Sequence, residues 1–334
     1  MNKLLHFPLV SLSALPLALP IALLCAVVGT LVCIPRVVAY EPALHQQLTF
    51  IAARQYNRCA QDDPGLERLS ALDTRYIVKA NVAQADANVF VRMFRWNYYN
   101  RKDQSNRSTW GVIDTRFHDR FDNFTTAMNS DEERQRKLRN LGRIVNYLQD
   151  VTSPAQVVPV YTGRWWRFSL GDRFNRFPVD AQRVEQLIAD RCDVLSASAM
   201  EYAEILQSTA TMTLVAVQSQ INDFPTTWEA YWKLAREDDE FGEYGRAGNQ
   251  FGKRTEFHCG EDQRCLLLEN DPLYRDFATA RHVAAVFASM QSFHLLQNSA
   301  QAPAVADDIP PASIAEPLAE RVSPPPAAPE QDEN

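Results

Sequence analysis

The sequence predicts an all-α fold. Beyond residue 40, apolar residues recur at spacings of three and four, which is the period of one face of a helix. The clearest such segment opens with the acids of Ser130-Asp131-Glu132-Glu133 and ends before Pro154, and both features are typical helix boundaries. Four glycines between Phe241 and Gly252 predict a tight loop that separates two later helices.

Five helices follow from this periodicity. The first carries Leu44, Leu48 and Ile51 on one face and runs toward Cys59. The stretch around residues 87–100 is rich in aromatic residues without a clear period, and we predict that it is mostly loop. The predicted helices cover residues 44–59, 66–77, 130–151, 196–221 and 272–297.

The N-terminal segment, residues 1–39, predicts export. A charged start is followed by an almost uncharged run, and Val37-Val38-Ala39 suits cleavage by signal peptidase, which would leave Tyr40 as the first residue. Because residues 7–34 are also long enough to cross a bilayer, a retained anchor in the cytoplasmic membrane is the alternative. Either way, we expect the bulk of the protein in the periplasm or secreted.

The C-terminal tail, residues 299–334, differs in composition from the rest of the chain. It holds eight of the 19 prolines among alanines and acids, which is typical of a disordered segment or an extended spacer. The domain between the two ends is therefore residues 40–298. The whole chain has a net charge of −7 and lacks the strongly basic character of a duplex-DNA binder, so duplex DNA is not expected as a partner.

Four cysteines lie in the predicted mature chain, and an oxidising compartment favours disulfides. Cys259 and Cys265 are close enough in sequence to close a small loop, which leaves Cys59 and Cys192 as a long-range pair. Four cysteines allow three connectivities, and a metal site at Cys259 and Cys265 is the alternative, although its spacing fits no standard zinc motif.

The segment from Asn146 to Gln156 has the spacing of a zinc-binding helix and turn. It places Asn146, Asp150, Pro154 and Gln156 on a His-x-x-x-Asp-x-x-x-Pro-x-His pattern, with amides at both histidine positions. In this pattern the chain resembles the zinc-dependent phospholipases C and the fungal single-strand-specific nucleases. The resemblance implies a phospholipase C/nuclease-like helical domain with irregular loops.

The start of the predicted mature chain carries the same resemblance. Tyr40 and His45 have the spacing of the N-terminal Trp and the His of the fungal nucleases, in which the free amine and carbonyl of the first residue bind zinc together with that His. The resemblance therefore implies metal ligands from the backbone of Tyr40 and from His45, Asp86 and Asp150. A retained anchor would remove the free amine.

The other matched positions carry residues that bind zinc poorly. Asn97 stands where the family has the His of a His-Phe-Tyr-Asp stretch, and Gly171 and Asn175 stand where a His and an acid are expected. Since a neutral amide is a poor substitute for imidazole, the resemblance implies a dismantled zinc site. Zinc is the expected cofactor only if the family chemistry survives, with Asp150 as the catalytic candidate. An oxygen-rich remainder would suit calcium better. The substituted positions are Asn97, Asn146, Gln156, Gly171 and Asn175.

We therefore expect a non-catalytic binding protein for a phosphate-bearing ligand, a lipid surface or a protein partner. One alternative is an active phosphodiesterase with a reduced metal site that acts on phospholipid or single-stranded nucleic acid. Another is an anchored scaffold that uses its C-terminal tail. Arg164, Trp165 and Trp166 are candidate ligand-binding residues, because arginine pairs with phosphate and tryptophan stacks on a base or head group. Core packing of at least one of these tryptophans is the competing interpretation.

The remaining histidines and charges have simpler interpretations. We expect His282 and His294 to be packed or surface residues of the last helix, and His118 to lie on a solvated face with Arg116 and Arg120. Neither a Gly-x-Ser-x-Gly nor a His-Glu-x-x-His motif occurs, so a serine hydrolase or zincin protease has no support.

Overall fold

The computed structural model describes residues 40–86, 95–101, 108–109, 113–130, 133–161, 171–236 and 241–301. The prediction of a mainly helical fold is confirmed in these residues. The chain divides into the units Met1–Ala300 and Gln301–Asn334, and the described elements belong to the first, with the last helix ending at Gln301. The helices are α1 (Pro42–Asp62), α2 (Ala71–Ala85), α3 (Phe117–Ser130), α4 (Arg134–Asp150), α5 (Pro154–Val157), α6 (Ala181–Ile188), α7 (Cys192–Ser196), α8 (Tyr202–Gln218) and α9 (Pro272–Gln301).

Short strands connect some of the helices. They form antiparallel pairs, and only the last pair is longer than two residues per strand. Single 3₁₀ turns cover Phe174–Arg176, Ala189–Arg191 and Trp228–Ala230. The pairs are β1 (Ser108–Thr109) with β2 (Ile113–Asp114), β3 (Trp232–Lys233) with β4 (Glu243–Tyr244), and β5 (Thr255–His258) with β6 (Arg264–Leu267).

Helix boundaries differ from the predicted ones where side chains cap the backbone. Helix α2 begins at Ala71, because Ser70 Oγ accepts a hydrogen bond from the Asp73 amide at 3.0 Å and the Ser70 amide donates to the Asp73 carboxylate at 3.4 Å. This capping box satisfies amides that have no partner within the helix. Leu66 and Leu69 precede the helix, yet both are buried.

Helix α4 lies at the centre of the fold. It contacts α1, α2, α3 and α8, and every residue from Ile144 to Asp150 is buried. The approach to α2 depends on Gly142, because a Cβ atom there would lie 2.3 Å from the Ile77 carbonyl oxygen and 2.8 Å from the Ala80 Cβ. Two helices can meet this closely only where a residue has no side chain. The side chains in the second half of α4 are therefore buried in the core.

The glycine-rich segment is a tight loop built against the region that follows α4. A Cβ atom on Gly242 would lie 2.1 Å from the Val158 carbonyl oxygen, and one on Gly245 would lie 2.2 Å from the Glu229 carbonyl oxygen. Val160 and Gly242 also pair as an isolated parallel bridge. The glycines therefore serve close backbone packing, and the loop covers a large buried aromatic cluster. Its members include Trp228, Tyr231, Trp232, Phe251, Tyr274 and Phe277.

Both predicted disulfides are confirmed. Cys59 on α1 is bonded to Cys192 at the start of α7, across a sequence separation of 133 residues. Cys259 is bonded to Cys265, six residues away, and this bond closes the β5–β6 hairpin. Disulfides of this kind are typical of proteins that fold outside the cytoplasm.

The predicted membrane segment lies outside the described residues, as does the C-terminal tail beyond Gln301. Among the helices of the described part, none combines the length and the apolar character that crossing a membrane requires.

Candidate functional site

The structure brings His45 of α1 and Asp150 of α4 together in the core. Neither side chain is accessible to solvent beyond a few per cent of its surface. His45 Nε2 lies 3.3 Å from Asp150 Oδ1. Asn146 joins them from the preceding turn of α4, because residues four apart share one face of a helix. Three positions that the sequence singles out therefore do meet.

The imidazole of His45 is held by amides on both sides. Its Nδ1 lies 2.7 Å from Gln149 Oε1, and since an amide oxygen only accepts hydrogen bonds, Nδ1 is the donor. Asn146 Nδ2 lies 3.3 Å from Nε2 and 3.5 Å from Nδ1, so this amide sits over the ring instead of on the lone pair of one nitrogen. The imidazole therefore packs against two amides of α4, and one of them accepts its Nδ1 proton.

These amides belong to a larger buried polar network that spans α1, α2, α4 and α9. Asn81 is its central member: Nδ2 donates to Thr49 Oγ1 at 2.7 Å, and Oδ1 accepts from Asn146 Nδ2 at 3.0 Å. Gln149 Nε2 reaches Ser289 Oγ on α9 at 3.3 Å. Buried polar groups cost free energy unless they are paired, and this network pairs most of them. We call Thr49, His45, Asn81, Asn146, Gln149, Asp150 and Ser289 the amide network.

Among the side chains of the amide network, that of Asp150 has the weakest hydrogen bonding. Burial raises the pKa of its carboxyl group, and the neighbouring His45 only partly opposes this effect. Its Oδ1 has no well-aligned hydrogen bond to a described residue despite the short separation from His45. Burial therefore shifts this carboxyl group toward its neutral form compared with an exposed aspartate.

Asp150 should make the free energy of unfolding fall as the pH rises. A raised pKa in the folded state means that folding is favoured below the pKa of the unfolded carboxyl, about 4, and that this contribution is lost as the pH rises through the folded pKa. Asp150→Asn keeps the shape without the titration. Urea unfolding between acid and neutral pH should show that the stability of the variant relative to the wild type increases with pH. The difference between their free energies of unfolding should change by at most about 1.4 kcal/mol per pH unit.

Burial also raises the pKa of Asp172, but Asp172 is present in both the wild type and the Asp150→Asn variant. Its contribution to the pH dependence therefore cancels when the two are compared. A variant that loses stability relative to the wild type as the pH rises would mean that Asp150 is an ion-paired carboxylate.

The residues present do not fit a zinc ion. The 3.3 Å between His45 Nε2 and Asp150 Oδ1 is close to the separation of two ligands on one tetrahedral zinc, roughly 3.4 Å. The next nearest group is Asn146 Nδ2, an amide nitrogen that carries hydrogens and offers no free lone pair. Within the described residues, no group of three or more His, Cys, Asp or Glu side chains is placed to hold a metal ion.

Tyr40 and Asn175 border the amide network. The Tyr40 hydroxyl lies 3.0 Å from Thr152 Oγ1, and its ring meets His45 edge-on with 5.7 Å between ring centroids. Asn175 Oδ1 accepts a hydrogen bond from Ser153 Oγ at 2.6 Å, and its carbonyl oxygen accepts from the Glu41 amide at 3.2 Å. The segment at Tyr40 and Glu41, the turn after α4 and the Phe174–Arg176 turn are therefore joined by hydrogen bonds.

The other predicted positions lie farther out or have different surroundings. Asp86 is exposed at the C-terminal end of α2, and Asn97 is half-buried between two buried aromatic residues. Gln156 is buried, and its Oε1 has no hydrogen-bond partner among the described residues. Gly171 adopts a φ of 106°, which suits glycine. Arg164, Trp165 and Trp166 lie outside the described residues, so their role stays a prediction.

Sequence reasoning overlooks part of the site. Thr49 is four residues after His45 on α1, and this spacing could have indicated it; Asn81, Gln149 and Ser289 carry no such local signal. Asp172 is also buried, and it accepts hydrogen bonds from Trp232 Nε1 at 2.8 Å and from the Tyr244 hydroxyl at 3.0 Å. Its partners come from β3 and β4, far along the chain.

Comparisons with known proteins add no relative. No family model matches the chain, and no curated protein or solved structure is significantly similar to it. The resemblance to zinc-dependent phosphodiesterases therefore rests on the sequence patterns described above.

Proposed function

We propose that the protein is an exported, non-catalytic binding protein on a helical scaffold similar to that of the phospholipase C and single-strand nuclease families. The observation that carries the proposal is the amide network. Where the sequence pattern expects the imidazoles of a metal site, the chain has Asn146 and Gln156, and the buried His45 packs against the amides of Asn146 and Gln149. The disulfides support export.

The electrostatics of the site support the same proposal. A cluster of zinc ligands carries negative charge that only the cation neutralises, so such a site is unstable without its metal. Most members of the amide network are amides and hydroxyls, and most of its side chains satisfy one another through hydrogen bonds. The network stabilises the scaffold without requiring a cation. We therefore place the function in ligand binding, with a phosphate-bearing ligand preferred over a lipid surface or a protein partner.

One observation favours an active phosphodiesterase with a reduced, oxygen-rich metal site as the second candidate. Asp150 Oδ1 and Gln156 Oε1 are both buried without a hydrogen-bond partner among the described residues. Oxygen donors suit calcium better than zinc. We rank this candidate second because, in the part of the chain described, no group of three or more His, Cys, Asp or Glu side chains is placed to hold a metal ion.

The proposal predicts the metal content and the activity of the purified protein. We expect far less than one zinc or calcium per chain by elemental analysis after purification without chelator, because the donors for a metal site are incomplete. We also expect no hydrolysis of phosphatidylcholine or single-stranded DNA above that of the Asp150→Ala variant. The variant serves as the control for contaminating enzymes. Near-stoichiometric metal, together with hydrolysis that Asp150→Ala abolishes, would show that the protein is an enzyme.

A further inference from the structure

Three arginines gather around one carboxylate near the start of α3, on a part of the molecule that the amide network does not use. Asp114 ends β2, and its backbone pairs with that of Arg95 in an isolated parallel bridge. Arg116 follows two residues later, and Arg120 lies on the first turn of α3. We call Arg95, Arg116 and Arg120 the arginine cluster.

The carboxylate of Asp114 is already saturated. Arg116 binds it through two parallel hydrogen bonds, Nε to Oδ1 at 3.1 Å and Nη2 to Oδ2 at 3.2 Å, and Arg120 Nη2 also donates to Oδ2. Burial acts to raise the pKa of Asp114, but these arginines outweigh it and hold the pKa below its usual value. Three cations thus share one anion, and even with Asp119 near Arg116 counted, positive charge remains in excess.

Two guanidinium nitrogens of the arginine cluster have no acceptor among the described residues. They are Arg95 Nε and Arg120 Nη1, and both atoms are buried. Burial lowers the pKa of Arg95, and the positive charge of Arg120 lowers it further. A buried donor without an acceptor costs free energy, and two like charges side by side add to that cost. A bound anion would supply the missing acceptors and offset the repulsion between the two arginines.

The hydroxyl of Tyr147 supplies a third donor. Tyr147 is buried on α4, and burial raises its pKa to about 12 while Arg120 and Arg95 act to lower it. Its oxygen accepts a hydrogen bond from Gln84 Nε2 at 3.2 Å, and no described acceptor takes its proton. The hydroxyl is therefore neutral near pH 7 and has its proton free to donate to a ligand.

We propose that the arginine cluster and Tyr147 bind the phosphate group of a phosphate monoester. This inference deepens the proposed function by naming the ligand class and its site. The negative charge of a phosphate monoester complements the excess of positive charge, and its terminal oxygens are strong acceptors for guanidinium and hydroxyl donors. The side chain of Arg116 is 55% exposed and that of Arg120 is 19% exposed, so the arginine cluster borders the solvent.

Titration calorimetry in the presence of EDTA tests the site without regard to metal. The probes are inorganic phosphate and glycerol 3-phosphate, with vesicles of phosphatidylcholine and phosphatidic acid compared with phosphatidylcholine alone. We expect saturable binding of the monoesters and a loss of affinity of at least about tenfold in Arg95→Gln/Arg120→Gln. The double variant Arg58→Gln/Arg254→Gln removes the same charge from two exposed positions and should bind as the wild type does.

The arms of the experiment identify the source of the phosphate and test the location. Binding of glycerol 3-phosphate without a response to phosphatidic acid indicates a soluble ligand, and the reverse indicates a lipid head group. Arg95→Lys keeps the positive charge but loses the planar guanidinium donors, so this variant should bind phosphate less tightly than the wild type. It tests the site if the variant with Arg120→Gln does not fold. No saturable binding by the wild type, or equal binding by all variants, overturns the proposal. Because EDTA is present, neither result depends on whether the protein is an enzyme.

Discussion

Replacing Cys59 and Cys192 by alanine is expected to lower the free energy of unfolding by about 5 kcal/mol, which is more than the loss expected for the other disulfide. The bond spans 133 residues, so breaking it restores a large conformational entropy to the unfolded chain. Urea unfolding followed by circular dichroism measures the change. The slope of free energy against urea concentration should also rise, because the unfolded chain becomes more expanded.

The second disulfide provides the matched control. Cys259 and Cys265 close a loop of only a few residues, so replacing both by alanine should cost about 2.4 kcal/mol on the same chain-entropy argument. Equal losses for the two pairs would contradict the entropic explanation, and a smaller loss for the long-range pair would show that α1 and α7 hold together without it.

Gly142→Ala is expected to destabilise the protein by about 2 kcal/mol even though alanine favours a helix. The added methyl group would lie 2.3 Å from the Ile77 carbonyl oxygen, so α2 and α4 must separate. Forcing extra atoms into a packed core costs up to about 3 kcal/mol or more, whereas the gain in helix propensity is at most about 1 kcal/mol. Thermal and urea unfolding of the variant measure the net effect.

Gly260→Ala is the control for this substitution. At Gly260 the nearest atom to a new Cβ would be Gln263 Cβ at 3.4 Å, an ordinary contact, so the free energy of unfolding should change by no more than about 0.5 kcal/mol. If Gly142→Ala were equally mild, α2 and α4 would not be in backbone contact in solution.

The sequence predicts those parts of the site that depend on local spacing. Helix periodicity places Asn146 and Asp150 on one face, and the family resemblance implies that His45 belongs to the same site. The partner of His45 cannot be found in this way. Gln149 lies 104 residues from His45, and its hydrogen bond depends on how α4 rotates against α1.

Helix α3 shows the same limit for the fold. Its buried apolar residues, Phe117, Phe121 and Met128, are spaced among charges that suggest a solvated face, so the sequence does not predict the helix. The sequence also predicts that Arg116 and Arg120 lie on a solvated face. It does not indicate their neighbours Asp114 and Arg95, which a backbone bridge brings together. Pairings of this kind arise from tertiary structure, and no single-sequence period records them.

The amide network also determines how the helices open. Its side chains connect α1, α2, α4 and α9, and Asn81, Thr49 and Gln149 each bond to more than one partner. Lifting any one of these helices would leave buried donors and acceptors unpaired on the others. Slow amide hydrogen exchange should therefore be lost from the four helices together, as one cooperative unit, while the β5–β6 hairpin exchanges separately.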